Sequence, residues 1–133
     1  MKSRIAFVVL ALLVSFALSA SAQDSPVGLP RMVTASLEHS FGTVKAGTPL
    51  NYTFQIKNEG KATLEIKNVA PSCGCTTSDY DKSIAPGKTG GITLVVAKTD
   101  GYKGDITKTA TVTTNDPDHQ TFILTLKATF SAE

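Results

Sequence analysis

The sequence predicts an all-β protein, folded as an antiparallel β-sandwich of about seven strands. After the first 31 residues, short runs of alternating apolar and polar residues recur, and turn-forming residues separate them at nearly regular spacing. The clearest alternation puts Leu50, Tyr52, Phe54 and Ile56 on one face of a strand. None of these runs has the period of an amphipathic helix. Together these observations favour an Ig-like architecture.

The predicted strands lie between clear turn signals. Pro86 and Gly87 suit the central positions of a tight turn, and Asn115, Asp116 and Pro117 mark another. The strands predicted between such turns are 34–39, 41–44, 50–57, 64–69, 92–97, 106–114 and 122–128. Alternate residues of these strands would face a shared interior between two sheets.

The N-terminus has the three parts of a secretory signal peptide. Lys2 and Arg4 supply the basic part, residues 5–18 form an apolar run, and Ala20 and Ala22 stand where a signal peptidase cuts. The apolar run is shorter than the ~20 residues of a membrane-spanning helix, which disfavours the alternative of an uncleaved anchor. We therefore expect an exported protein, periplasmic or extracellular, with no stable membrane anchor after cleavage.

Cleavage would divide the chain into a removed part and a mature part. The predicted segments are a signal peptide over 1–22, a flexible leader over 23–31 and one Ig-like domain over 32–133. The leader contains two prolines and a glycine and has no periodic pattern.

Charge argues against nucleic acid as a partner. The full chain has a net charge of +2, and the signal peptide carries two basic residues and no acidic one, so the mature chain is neutral. A neutral chain without a basic run lacks the electrostatic footprint of nucleic-acid-binding proteins and the polybasic segment that binds anionic lipid. A protein partner in the cell envelope is the kind of partner we expect, and the sequence does not predict the oligomeric state.

The mature sequence contains two cysteines, Cys73 and Cys75, on either side of Gly74. Several interpretations stay open. The two residues are packed and inert, or they form a disulfide with each other in an oxidising compartment. As thiolates on one face they would bind copper, since Cu(I) accepts few, soft ligands. A zinc site would need four ligands, and His39 and His119 are distant in sequence. A last interpretation pairs one thiol with another protein.

A disulfide between these residues would be better explained by redox chemistry than by stability. Residues i and i+2 of an extended strand lie about 6.6–6.8 Å apart, at the edge of what a disulfide tolerates. Gly74 would therefore have to bend the chain. The ring that closes is small and restricts the unfolded chain very little.

Several short motifs occur in a fixed order along the chain. They are Phe41-Gly42-Thr43-Val44, Phe54-x-x-x-Asn58-x-Gly60, Ser72-Cys73-Gly74-Cys75-Thr76, Ala85-Pro86-Gly87 and Thr114-Asn115-Asp116-Pro117. This order, over residues 37–130, resembles the bacterial "domain of unknown function 1573" family. The resemblance implies an Ig-like sandwich in exported bacterial proteins and no established enzymatic activity. Ser40 departs from the family's pattern, in which an acidic residue often precedes the Phe-Gly pair.

The sequence contains no complete catalytic constellation. Gly87-Lys88-Thr89 resembles the end of a phosphate-binding loop, but Lys82 stands where that motif has its first glycine. We therefore expect a non-catalytic exported Ig-like module, with a structural or partner-binding role and no cofactor. The alternative is a thiol redox or copper-binding protein that acts through Cys73 and Cys75.

Overall fold

Alternation of apolar and polar side chains builds two packed sheets. The computed structural model describes residues 28–131, which contain nine strands. Their bounds are β1 Met32–Val33, β2 Glu38–Lys45, β3 Leu50–Asn58, β4 Leu64–Pro71, β5 Thr76–Tyr80, β6 Ser83–Ile84, β7 Thr89–Val96, β8 Gly104–Thr114 and β9 Thr121–Ser131. Only β1 and β6 are as short as two residues, so seven of the nine strands have five residues or more.

The strands form one four-stranded and one five-stranded sheet. Their orders are β1-β3-β7-β5 and β2-β9-β8-β4-β6. The predicted all-β, Ig-like sandwich is thereby confirmed. One pair departs from antiparallel pairing, because β2 runs parallel to β9. Strand β1 pairs with β3 at the edge of the four-stranded sheet. The chain then crosses to the other sheet, where β2 runs beside β9 in the same direction.

This crossing also corrects the predicted strand over 34–39. The hydroxyl of Thr34 donates to the carbonyl of Gln55 in one sheet, and the amide of Thr125 donates to the carbonyl of Leu37 in the other. Residues 34–37 therefore pass between the sheets, and β2 begins only at Glu38. Within β2 the pairing with β9 shifts between Ser40 and Thr43, a bulge at which Gly42 takes a positive φ of 69°.

The core lies between the inner faces of the two sheets. Leu50, Phe54 and Ile56 are buried, as their alternation predicts, whereas Tyr52 is half-buried at the side of the sandwich. Both sheets contribute fully buried aliphatic and aromatic side chains, and the largest are Phe54, Leu50, Ile56, Leu64, Ile92, Leu94, Leu124 and Leu126. Eighteen apolar residues form one continuous buried cluster. A cluster of this extent stabilises the sandwich mainly through the hydrophobic effect.

The segment before β1 is tied to the turn after β3. The amide of Lys61 donates to the carbonyl of Leu29, and the amide of Glu59 donates to that of Arg31. Both acceptor residues belong to the segment predicted as a flexible leader, and these bonds attach them to the fold. The predicted signal peptide and residues 23–27 lie outside the described residues. Within 28–131, no helix is long and apolar enough to cross a membrane.

A buried asparagine holds this end of the sandwich together. The side chain of Asn58 is 0% exposed, and its Oδ1 accepts hydrogen bonds from the amides of Arg31 and Gly60 at 3.2 and 2.9 Å. Its Nδ2 donates to the carbonyls of Ala62 and Ile84 at 2.8 and 2.9 Å. One side chain thus satisfies backbone groups of three separate segments, which fixes their relative positions.

Candidate functional site

The two cysteines lie in the loop that carries the chain from the five-stranded sheet to the four-stranded sheet. This loop joins β4 to β5, and the amide of Ser72 donates to the carbonyl of Thr109 on β8 at 2.8 Å. The amide of Thr76 then donates to the carbonyl of Cys73 at 3.2 Å, which closes a tight turn. The backbone is therefore already bent at the point where the cysteines occur.

The sulfurs of Cys73 and Cys75 are bonded to each other, with 5.3 Å between the Cα atoms. That separation is shorter than in an extended strand and lies within the usual range for disulfides. The turn supplies the bend, and Gly74 is not among the glycines with a positive φ. Apart from the two flanking cysteines, no residue has an atom within 4 Å of the position that a Cβ on Gly74 would occupy, so the apex of the loop faces open space.

Three polar side chains surround the disulfide. The Lys108 ammonium lies 3.7 Å from Cys73 Sγ, and the hydroxyl of Thr76 lies 3.8 Å from the same sulfur. The Tyr102 hydroxyl donates to Cys75 Sγ at 3.4 Å. Each sulfur therefore has its own neighbour, and the positive charge is beside Cys73.

The lysine and the tyrosine are positioned by the fold. Lys108 comes from β8, and its Nζ lies 4.9 Å from the centroid of the Tyr102 ring, a cation–π contact. The Tyr102 ring in turn packs edge-on against Phe130 of β9, with 5.5 Å between the ring centroids. None of the ion pairs between described residues includes Lys108. The ammonium is thus held beside a sulfur and an aromatic face.

Sequence reasoning identified the cysteine pair but missed Lys108 and Tyr102. They are 35 and 27 residues from the sulfurs that they contact. Only the pairing of β8 with β4 and the turn before β8 bring them to the loop. No local sequence pattern links either residue to a cysteine.

The two histidines lie at other places. His39 stacks on Tyr52 with 3.6 Å between the ring centroids, and it contacts Phe41 edge-on. His119 contacts the carboxylate of Asp116, with 3.0 Å between Nδ1 and Oδ2. Both rings therefore contact other residues of the sandwich, and neither is one of the three polar side chains beside the disulfide.

The acid beside His119 is a structural carboxylate. Asp116 is 1% exposed, and it accepts hydrogen bonds from the amides of Met32 and Asp118 at 2.8 and 2.9 Å. Burial raises the pKa of Asp116, but these two bonds and the contact with His119 outweigh burial and hold the pKa below its ordinary value of 3.8. The carboxylate thereby attaches β1 to the turn between β8 and β9.

An open polar groove crosses the outer face of the four-stranded sheet. It has a volume of about 350 Å³ and is lined by Thr53, Gln55, Asp79, Tyr80, Asp81, Thr89, Gly90, Gly91 and Thr93. Side chains of Ile84 and Thr53 pack over the adjacent glycines on β7, and Asp81 accepts a hydrogen bond from the amide of Gly91 at 2.8 Å. Asp79 is exposed on β5, which has a hydrogen-bonded neighbour strand on one side only in the described sheets.

Metal ligation by this chain stays a prediction. In the part of the chain that the structure describes, no group of three or more His, Cys, Asp and Glu side chains could hold a metal ion. The alternative of a copper site at Cys73 and Cys75 would require the reduced pair, because both sulfurs are engaged in the disulfide.

Comparison with known proteins places the chain among relatives of similar sequence. Residues 32–130 match the family described as "Protein of unknown function (DUF1573)". The chain belongs to this family. The match covers nearly the same residues as the resemblance inferred from the motif order. A search of curated proteins finds no match.

Solved structures similar to this DUF1573 chain share its fold at low sequence identity. A protein of unknown function from Porphyromonas gingivalis W83 is 21% identical with a TM-score of 0.62. The alignment covers 77% of this chain and 46% of that protein, so the chain spans less than half the length of that relative.

Two further structural matches are domains of a human protein and of a bacterial protease. The seventh PapD-like domain of human CEP192 is 11% identical with a TM-score of 0.56, over 81% of this chain and 89% of that one. The secreted serine protease VesC from Vibrio cholerae is 9% identical with a TM-score of 0.55, over 77% and 23% of the two chains. At these identities the likeness shows the sandwich fold alone.

Proposed function

We propose that this chain is a non-catalytic module, exported to the periplasm or cell envelope, that binds a protein partner through its four-stranded sheet. The observation that carries the proposal is the polar groove beside the open edge of β5. An edge strand offers unpaired backbone groups to a partner chain, which can add to the sheet along that edge.

Charge indicates the chemistry of the partner surface. Asp79 and Asp81 both line the groove, together with the hydroxyls of Thr53, Thr89 and Thr93. Such a surface suits a polypeptide segment that presents basic side chains and other hydrogen-bond donors. Asp81 is already bonded to Gly91, which leaves Asp79 as the charge that we expect to meet the partner.

Site-specific photo-cross-linking in the native host tests this proposal. A photoreactive amino acid is placed at Thr89 in the groove or, as a control, at Thr107, which is exposed on β8 in the other sheet. We expect a cross-linked partner from position 89 and none from position 107. Asp79→Asn should lower the yield from position 89 severalfold, whereas Asp118→Asn, the same charge change at a residue that does not line the groove, should leave it unchanged.

Two outcomes would contradict this function. One is an equal yield from positions 89 and 107, and the other is a yield from position 89 that does not depend on Asp79. Replacement of both cysteines by serine should leave the cross-link unchanged, because neither sulfur lines the groove. Cell fractionation of the same samples checks export, and retention in the cytosol would contradict it.

A further inference from the structure

We propose that the Cys73–Cys75 disulfide is a thiol–disulfide exchange site that oxidises accessible protein thiols, with Cys73 as the leaving sulfur and Lys108 as its charge partner. This activity is separate from partner binding in the groove. The reaction is stoichiometric, because each protein disulfide oxidises one pair of substrate thiols. It therefore requires no set of catalytic residues.

Access to the bond is provided by the loop itself. Cys73 and Cys75 are half-buried, Ser72 and Gly74 are exposed, and the space around Gly74 is open. An incoming thiolate attacks one sulfur while the other leaves. A partner polypeptide can therefore reach the sulfurs without unfolding of the sandwich.

The direction of attack follows from the groups beside each sulfur. A sulfur leaves faster when its thiolate is stabilised. Cys73 has the Lys108 ammonium at 3.7 Å and the Thr76 hydroxyl at 3.8 Å, whereas Cys75 has the neutral Tyr102 hydroxyl at 3.4 Å. A full positive charge stabilises an anion more than one neutral donor does. The incoming thiolate is therefore expected to attack Cys75.

The chemistry balances in two steps. A substrate thiolate attacks Cys75 Sγ, forms a mixed disulfide there and expels Cys73 as a thiolate. The second thiol of the same substrate then loses its proton to solvent. Its thiolate attacks the substrate sulfur that is bonded to Cys75 Sγ, which forms the substrate disulfide and releases Cys75 as a thiolate. The substrate dithiol has lost two electrons to become a disulfide, and the Cys73–Cys75 pair has gained them.

The test begins with the purified oxidised protein and two reduced probes. One is a short peptide with two cysteines, and the other is glutathione, which distinguishes a polypeptide substrate from a small-molecule thiol. The reactions are quenched with acid, the free thiols are alkylated, and the masses of protein and peptide are measured by mass spectrometry. We expect one equivalent of peptide disulfide for each protein that becomes reduced. A disulfide that persists against both probes would overturn the proposal, and reaction with glutathione alone would overturn the choice of substrate.

The role of Lys108 is tested with a matched pair of variants. Lys108→Gln should slow the exchange about threefold to tenfold, because a charge at this distance near the surface is removed from the leaving sulfur. Lys103→Gln makes the same change in net charge at an exposed position and should have no effect. Lys108→Arg should restore most of the rate. Equal rates for the Lys108→Gln and Lys103→Gln variants would overturn the assignment.

A second readout separates reactivity from a structural effect. In Cys75→Ser the remaining Cys73 thiol should be alkylated at lower pH than in the same variant with Lys108→Gln. Circular dichroism confirms that each variant keeps its strands. An alkylation profile that does not shift between these folded variants would remove Lys108 from the proposal.

Discussion

An Asn58→Ala variant is expected to lose about 3 kcal/mol of unfolding free energy, because several buried backbone groups lose their partners at once. The side chain is fully buried and bonds to four backbone groups, those of Arg31, Gly60, Ala62 and Ile84. Alanine removes all four bonds, so four buried backbone groups lose the partner that the side chain supplied. Urea denaturation monitored by circular dichroism measures the loss.

The control for this variant lies on the same strand. Asn51 is exposed on β3, and Asn51→Ala makes the same chemical change without exposing buried groups, so we expect a change of at most about 0.5 kcal/mol. Similar losses in the two variants would show that the buried network does not hold the three segments together.

Asp116→Asn is expected to cost about 2–3 kcal/mol at neutral pH. The carboxylate accepts hydrogen bonds from two backbone amides and contacts His119. An amide side chain must present N–H groups to one of these donors, which leaves a buried donor without an acceptor. This loss should release β1 first, since the amide of Met32 is bonded to this carboxylate.

The pH dependence of the same variant has a definite sign. The pKa of Asp116 is lower in the folded chain than its ordinary value of 3.8, so its ionised form favours folding. That contribution is fully present above 3.8 and disappears as the pH falls through the lowered folded pKa. The difference between wild type and Asp116→Asn should therefore shrink in acid. Asp118→Asn, at an exposed neighbour, serves as the control, and a difference that grows in acid would contradict this role.

The sequence predicts the fold wherever the two faces of a strand differ strongly. Apolar and polar residues alternate cleanly over 50–57, because one face of β3 is buried and the other faces solvent. By contrast, β5 consists of Thr76, Thr77, Ser78, Asp79 and Tyr80, whose polar side chains give no alternation in hydropathy, and it was not predicted. Its place is set by pairing with β7, a tertiary contact that no local pattern reports.

The candidate site was predictable only in part for the same reason. Cys73 and Cys75 are conspicuous in sequence, and the i, i+2 spacing raises the disulfide as one alternative. The charge that would make the bond reactive comes from Lys108, on a strand that reaches the loop through the pairing of Pro71 with Ala110. Which lysine meets a given sulfur depends on strand register, and the sequence does not specify that register.

The proposed redox role has a consequence for the stability of the folded protein. A disulfide that exists for its reactivity need not hold the fold together, and the buried cluster between the sheets contains neither Cys73 nor Cys75. A ring closed between residues two apart restricts the unfolded chain far less than a long loop does. The sandwich should therefore fold with the pair either oxidised or reduced.

The most direct measurement is the unfolding free energy of the oxidised protein compared with that of the reduced protein, both from urea denaturation. We predict that both forms unfold cooperatively and that reduction costs no more than about 1.5 kcal/mol. Loss of the cooperative transition on reduction, or a cost above about 4 kcal/mol, would show that the disulfide is a structural element and would contradict its role as an exchange site.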